Sequence, residues 1–123
     1  MNFSYEIQEN ALFITADGDL LGLQNDVKVL DYINQDLAET VIYCIIDISN
    51  INYMNSSGLS MLIRILTKFR NRDGDVALVN PSDSVRKLLV ITKLNAIFTI
   101  ATSKEEALEL IKDSKQTEVK SFV

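Results

Sequence analysis

"TVIYCIIDISNINYMNSSGLSMLIRI" (residues 40–65) holds, in order, an unbroken apolar run, a polar junction, and a second apolar segment with a different period. The run "TVIYCIIDI" (40–48) is β-branched and aromatic and has the length of a strand, which suits a central strand covered on at least one face. Beyond the junction, Leu59, Leu62, Ile63, Leu66 and Phe69 recur at helical spacing and describe an amphipathic helix closed by "RDGD" (72–75). A buried strand feeding an amphipathic helix is the repeating unit of an α/β sheet.

The same alternation continues in both directions. Upstream, "YEIQEN" (5–10) and "ALFITADGD" (11–19) read as two strands with Glu9 and Asn10 at their turn, the second ending at Asp17-Gly18-Asp19. Between them and the central strand, Leu23, Val27, Leu30, Ile33 and Leu37 mark a helix. Downstream, "DVALVN" (75–80) is a strand, Pro81 breaks the chain, "SDSVRKLLVITK" (82–93) is a helix and "AIFTIA" (96–101) a last strand. Ser103 and Glu106 form a capping box that opens the helix "KEEALELIK" (104–112). The expected architecture is one α/β domain over residues 1–113. It has a mixed β-sheet of four to five strands and about four helices, and a polar tail at 114–123 that frays.

The bulk properties agree. A chain of 123 residues with 47% apolar and 24% charged residues can bury one core. Cys44, the one cysteine, lies inside the apolar run and reads as a buried small hydrophobe. The first ten residues carry no basic leader, and no apolar stretch reaches the ~20 residues of a membrane helix. A cytoplasmic protein without direct membrane insertion is therefore expected. Residues 1–60 hold one base and nine acids, net −8, and residues 61–123 eleven bases and eight acids, net +3. An acidic chain without a basic tract makes a poor nucleic-acid binder. The basic cluster Arg64, Lys68, Arg70 and Arg72 reads as the solvated face of a helix.

Catalytic chemistry finds little to work with. Histidine is absent, which removes the commonest general base and the commonest transition-metal ligand. The four glycines, at 18, 22, 58 and 74, fit neither phosphate-cradling pattern. A phosphoacceptor-aspartate centre would need an acidic cluster and a lysine beyond a later strand. Only fragments of one are present: "VNPSDS" (79–84) follows the next strand with no lysine at its end. Metal-carboxylate chemistry is harder to exclude, since Asp47 ends one strand, where α/β proteins often place ligands, and Asp17 and Asp19 end another. No enzyme activity, cofactor or resident metal is expected.

The junction itself is richer in hydroxyls than a turn requires. If the helix begins near Ser57, either Asn55 or Ser56 is its N-cap, accepting a free amide of the first turn, and Gly58 allows close backbone approach. One capping residue is enough for that purpose. A helix N-terminus also offers free N–H groups and the positive end of a dipole, so a phosphate attached there can be tolerated without unfolding.

"DISNINYMNSSGLSMLIRI" (47–65) resembles the signature of the STAS domain, specifically the anti-sigma-factor antagonists of bacteria: D-hydrophobic-S, a spacer, aromatic-M-D-S-[ST]-G-L-G, then an apolar helix. "GDL" (18–20), "VRKLLVITKLNAIFTI" (85–100) and "SKEEAL" (103–108) resemble later parts of the family in order and spacing. The resemblance implies a switch whose unphosphorylated form binds an anti-sigma factor that is also a serine kinase, thereby freeing a sigma factor. Phosphorylation then turns binding off, and a serine phosphatase is the implied partner that restores it. Position by position, the phosphorylated serine is Ser56. Ser57 fills the second hydroxyl position, Gly58 the glycine, and Asn55 the place of the usual aspartate, while Ser60 stands where a second glycine is usual. The helix supplies the docking surface, with Asn55, Ser57, Gly58, Met61 and Arg64 as partner-binding residues. Counted at ~100° per residue, Ser57, Met61, Arg64 and Lys68 fall opposite the apolar stripe, which makes Met61 a candidate apolar anchor. Two other classes fit the same fold. One is a non-phosphorylated STAS subunit of a membrane lipid-transport complex; the other is a weak nucleotide-binding or hydrolysing domain.

Overall fold

The computed structural model describes the backbone of residues 2–22 and 24–121 and the side chains of residues 2–22 and 28–113. In chain order the elements are β1 (Asn2–Gln8), β2 (Ala11–Leu20), α1 (Gln24–Gln35), β3 (Tyr43–Met54), α2 (Ser56–Arg70), β4 (Asp75–Val79), α3 (Asp83–Ile91), a short 3-10 turn (Leu94–Ala96), β5 (Thr99–Ala101) and α4 (Lys104–Ser121). The five strands lie side by side in sequence order. β1 and β2 form an antiparallel hairpin, and the remaining neighbours are parallel. The sheet is mixed, as expected, and four helices accompany it.

Side-chain alternation along the strands divides the core in two. Leu12, Ile14, Cys44, Ile46, Ile48, Val76 and Leu78 point to the face covered by α1, α2 and α3. Ala11, Phe13, Tyr43, Ile45, Ala77 and Val79 point to the other, where Ala107 and Ile111 of α4 pack. The unbroken apolar run of β3 is thus explained by helices on both sides. Cys44 is fully buried, and burial pushes its thiol well above the usual range, so it acts as a hydrophobe.

Several boundaries differ from the sequence reading. β2 does not stop at Asp17-Gly18-Asp19: two irregularities, between Thr15 and Asp17 and between Gly18 and Leu20, carry it on beside β3. β3 likewise runs past Asp47 to Met54, so Asp47 lies within the strand instead of at its end. α1 buries Val29, Leu30, Ile33 and the following Leu37, while the expected contacts of Leu23 and Val27 lie outside the described residues. β5 is a three-residue strand because the 3-10 turn takes up the start of "AIFTIA". At the C-terminus the helical backbone continues through the expected tail to Ser121. The capping box at Ser103 forms in altered guise. The Ser103 hydroxyl accepts from the Glu106 amide at 3.1 Å, while the Glu106 carboxylate reaches back to Thr102.

α2 shows the largest correction. Its buried residues are Gly58, Leu59, Met61, Leu62, Ile65, Leu66 and Phe69. The core-facing arc is therefore centred roughly 60° from the expected one at ~100° per residue. Met61, at 3% exposure, is core and Ile63, at 37%, is not. Two isoleucines flank the stripe, and spacing alone does not say which one faces inward.

The basic cluster also resolves differently from a uniformly solvated face. Arg72 donates to the carbonyls of Ile33 (2.7 Å) and Ala38 (2.8 Å), with longer contacts to Val41 and Leu37. It ties the end of α2 to the carbonyl-rich end of α1. Arg70 donates to the Ile97 carbonyl at 2.7 Å and pairs with Asp75 at 3.4 Å. Lys68 donates to Asn34 at 2.7 Å. Arg72→Ala is expected to lower stability by about 2–3 kcal/mol in urea denaturation, since charged donors are lost from several carbonyls. Arg64→Ala, at an exposed position, changes it by less than about 0.5 kcal/mol.

Candidate functional site

β3 outlasts β4. Their ladder ends at the Asp47–Val79 pair, whereas β3 continues beside β2 to the pair formed by Leu20 and Met54. Near this parting the Asp47 carboxylate accepts from the Ser49 amide (3.0 Å) and hydroxyl (2.6 Å). β2 and β3 therefore leave the carboxyl edge of the sheet as a two-stranded ribbon, and the ribbon delivers the 52–58 junction.

Asn55 is the N-cap of α2. Its backbone is extended and its side-chain oxygen accepts from the Gly58 amide at 2.8 Å, which makes Ser56 the first helical residue. The first turn is pressed against the end of β2. The Asn55 amide donates to the Leu20 carbonyl at 3.3 Å, and a Cβ at Gly58 would lie 2.2 Å from that same oxygen. No side chain fits there. Gly22, at φ +70°, closes over Ser57 so tightly that a Cβ on it would meet the Ser57 Cβ at 2.7 Å.

This seating gives α2 two different flanks. Ser57, Arg64 and Lys68 share one, bordered by the Gly22 turn and, through the Lys68–Asn34 bond, by α1. Ser56, Leu59 and Ile63, spaced at i, i+3 and i+7, share the other. Across from that second flank stands α3, and between them lies a groove of about 660 Å³ lined by Tyr53, Asn55, Ser56, Leu59, Ser84 and Leu88 among others. None of its lining residues is charged. Ser56 is exposed at its mouth, and its hydroxyl makes no hydrogen bond among the described residues.

The structure thus separates the residues that the sequence grouped. Asn55 and Gly58 hold the helix start in place, Ser56 faces the groove, and Ser57 and Arg64 lie on the opposite flank. Met61 is in the core, which corrects the expectation of an exposed apolar anchor. Sequence reasoning missed Tyr53, which is 57% exposed, and the α3 wall. A signal existed. Leu88-Leu89-Val90-Ile91 is four apolar residues in a row, more than one stripe of a nine-residue helix can bury, and only Val85 and Leu89 are buried. Among the described residues no group of three or more histidines, cysteines and acids could hold a metal ion. No described helix is long and apolar enough to cross a membrane.

The STAS domain family pattern matches residues 2–107. Among solved structures, the anti-sigma factor antagonist SpoIIAA in its unphosphorylated form is similar over 91% of this chain and 97% of its own, at 23% identity and a TM-score of 0.72. Its phosphorylated form, from Bacillus, is similar over 89% and 99%, at 23% identity and a TM-score of 0.65. A candidate anti-sigma factor antagonist of Thermotoga maritima, TM1081, is similar over 89% of this chain and 94% of its own, at 22% identity and a TM-score of 0.76. A segment of the murine anion transporter Slc26a9 also matches, covering 88% of this chain but 18% of the transporter, at 13% identity and a TM-score of 0.71. Identities this low establish a common fold.

Gly58→Ala is expected to lower stability by at least about 2 kcal/mol, because neither the Leu20 carbonyl nor the helix can withdraw without breaking the seat. Asn55→Ala loses about 1 kcal/mol with the cap, and Asn55→Asp retains it. Urea titration of the three variants checks the order.

Proposed function

The chain belongs to the STAS domain family, and from that membership we propose that it is an anti-sigma factor antagonist. Its unphosphorylated form binds an anti-sigma factor that is also a serine kinase and thereby releases a sigma factor. Phosphorylation of Ser56 switches binding off, and a serine phosphatase resets it. The role is regulatory and not catalytic.

The observation that carries this reading is the placement of Ser56. It is the first residue of α2, exposed, beside a neutral cap and at the mouth of a groove without charged lining. A phosphoserine adds about −1.5 to −2 charges and three acceptor oxygens. At the first helical position the free amides and the dipole favour the anion by ~0.3–1 kcal/mol, so the fold has no reason to yield. A partner covering the same spot must strip water from that charge, and leaving it buried and unpaired costs several kcal/mol. Desolvation wins. A net loss of about 4 kcal/mol weakens binding by nearly a thousandfold, with no conformational change required. Asn55, in the place of the family's aspartate, adds no carboxylate beside the phosphate, so the modified form escapes that repulsion.

The expected result with a cognate anti-sigma kinase and ATP is one phosphate, mapped to Ser56 by mass spectrometry and absent from Ser56→Ala. A phosphate that persists in that variant refutes the assignment. Ser56→Asp is expected to weaken kinase binding by roughly tenfold or more while its melting temperature stays within about 2 °C of wild type. Undiminished binding by Ser56→Asp would instead favour a STAS subunit that docks without phosphorylation.

A further inference from the structure

β1 is an outer strand of the sheet, and its far side is open. It runs for seven residues, Asn2–Gln8, against three for β5 at the opposite edge. Its pairing with β2 is unbroken from Gln8 opposite Ala11 to Asn2 opposite Asp17. It holds no proline, lysine or arginine, so the devices that usually blunt a sheet edge are missing. The register fixes which backbone groups are left over. The Asn10 carbonyl accepts from the Tyr43 amide of β3, so by alternation along β2 Leu12 and Ile14 also turn their backbone groups toward β3, while Ala11, Phe13 and Thr15 turn theirs toward β1. Those three stand opposite Gln8, Glu6 and Ser4. The amides and carbonyls of Phe3, Tyr5 and Ile7 therefore point away from β2, and they make no backbone hydrogen bond on that side among the described residues.

We infer that β1 pairs antiparallel with β1 of a second copy of this chain, across a two-fold axis at Tyr5, so that two five-stranded sheets join edge to edge. The strand is self-complementary in that register. With Tyr5 opposite Tyr5, Phe3 stands opposite Ile7 and Ile7 opposite Phe3, so every outward residue of β1 meets another, at two hydrogen bonds a pair or about six in all. An axis at Ser4 or Glu6 leaves one of the three without an opposite residue in β1, and at Glu6 it also sets like charges face to face. The side chains agree with the backbone. Phe3, Tyr5 (41% exposed) and Ile7 (48% exposed) alternate onto one face, where aromatic and β-branched neighbours across strands attract. Tyr5 is steadied there by Tyr32 of α1, with ring centroids 4.9 Å apart. On the other face Ser4 meets Glu6, the single charged side chain of the strand, and Asn2 meets Gln8. Two-fold pairing uses up the edge and closes, giving a dimer and not a fibre. The α2–α3 groove draws no lining residue from β1, so this contact is independent of the function proposed for Ser56.

The test uses the purified full chain, its mass followed by light scattering or sedimentation as concentration rises. Wild type is expected to pass from one chain to two. Ile7→Pro and Ile7→Lys block the edge without touching the β2 ladder, since the Ile7 amide faces outward. Each is expected to raise the dimer dissociation constant by about tenfold or more and to keep the wild-type circular dichroism spectrum. Ile91→Lys, on α3 at 78% exposure, and Ser56→Asp should dimerise as wild type does. Disulfide cross-linking reads the register. Under mild oxidation Tyr5→Cys is expected to give a covalent dimer, its Cα atoms ~5.5 Å apart across the axis. Ile7→Cys is not, because about four residues, or ~14 Å, separate it from its twin; Cys44 is buried and does not compete. A wild-type chain that stays single at every concentration overturns the inference and leaves the edge to an extended segment of another protein. Loss of the dimer in Ile91→Lys or Ser56→Asp, but in neither Ile7 variant, assigns the contact to α3 or to the groove and overturns it as well. Cross-linking through Ile7→Cys in place of Tyr5→Cys does the same.

Discussion

The closest backbone approach at the site is the one that the rest of it depends on: Gly58 of α2 lies over the carbonyl of Leu20, with no room for a Cβ between them. That contact fixes the start of the helix against the end of β2, and the Asn55 amide holds the same carbonyl from the other side. Two strands must overshoot the sheet for this to happen, which they do as a ribbon beyond the last β4 pair. Once the helix is seated, its rotation is set. Met61 and Ile65 go inward, Ser57 goes under the Gly22 turn, and Ser56 is left facing the groove. The exposure of one hydroxyl is thus a consequence of backbone packing several residues away.

Rigidity at this point suits the charge-based switch proposed above. A serine on a mobile loop could move its phosphate out of a partner's way, whereas a serine on the first turn of a capped, wedged helix cannot. Arg72, Arg70 and Lys68 fasten the remainder of α2 to α1, to the Ile97 carbonyl and to Asn34. The basic residues of this helix therefore hold the scaffold together, and Arg64 is the exception.

Much of the architecture was legible in the sequence because its signals are local and strong. The apolar run of β3, the Asp73-Gly74 stop, Pro81 and the Ser103 cap each act through residues close by. The strand ends were less legible, since the irregularities that carry β2 through Asp17-Gly18-Asp19 depend on pairing with β3, a tertiary contact that no short window contains. The rotation of α2 was misread for a similar reason. Ile63 and Ile65 are equally apolar, and the seat of Gly58 on Leu20 decides between them. The proposed serine rests on a family resemblance, which supplied its position; the groove it faces needed α3 in place. Conversely, the run of four apolar residues in α3 was visible and its excess over one buried stripe went unread.

The most direct measurement is the affinity of the purified anti-sigma kinase for the unmodified chain and for the same chain carrying one phosphate on Ser56, with the amide spectrum of each recorded alongside. The account predicts a fall of two to three orders of magnitude in affinity, as roughly 3–4 kcal/mol of unpaired charge implies, while spectral changes stay confined to the first turn of α2 and the facing residues of α3. Equal affinities, or a loss of affinity accompanied by changes throughout the sheet, would contradict it.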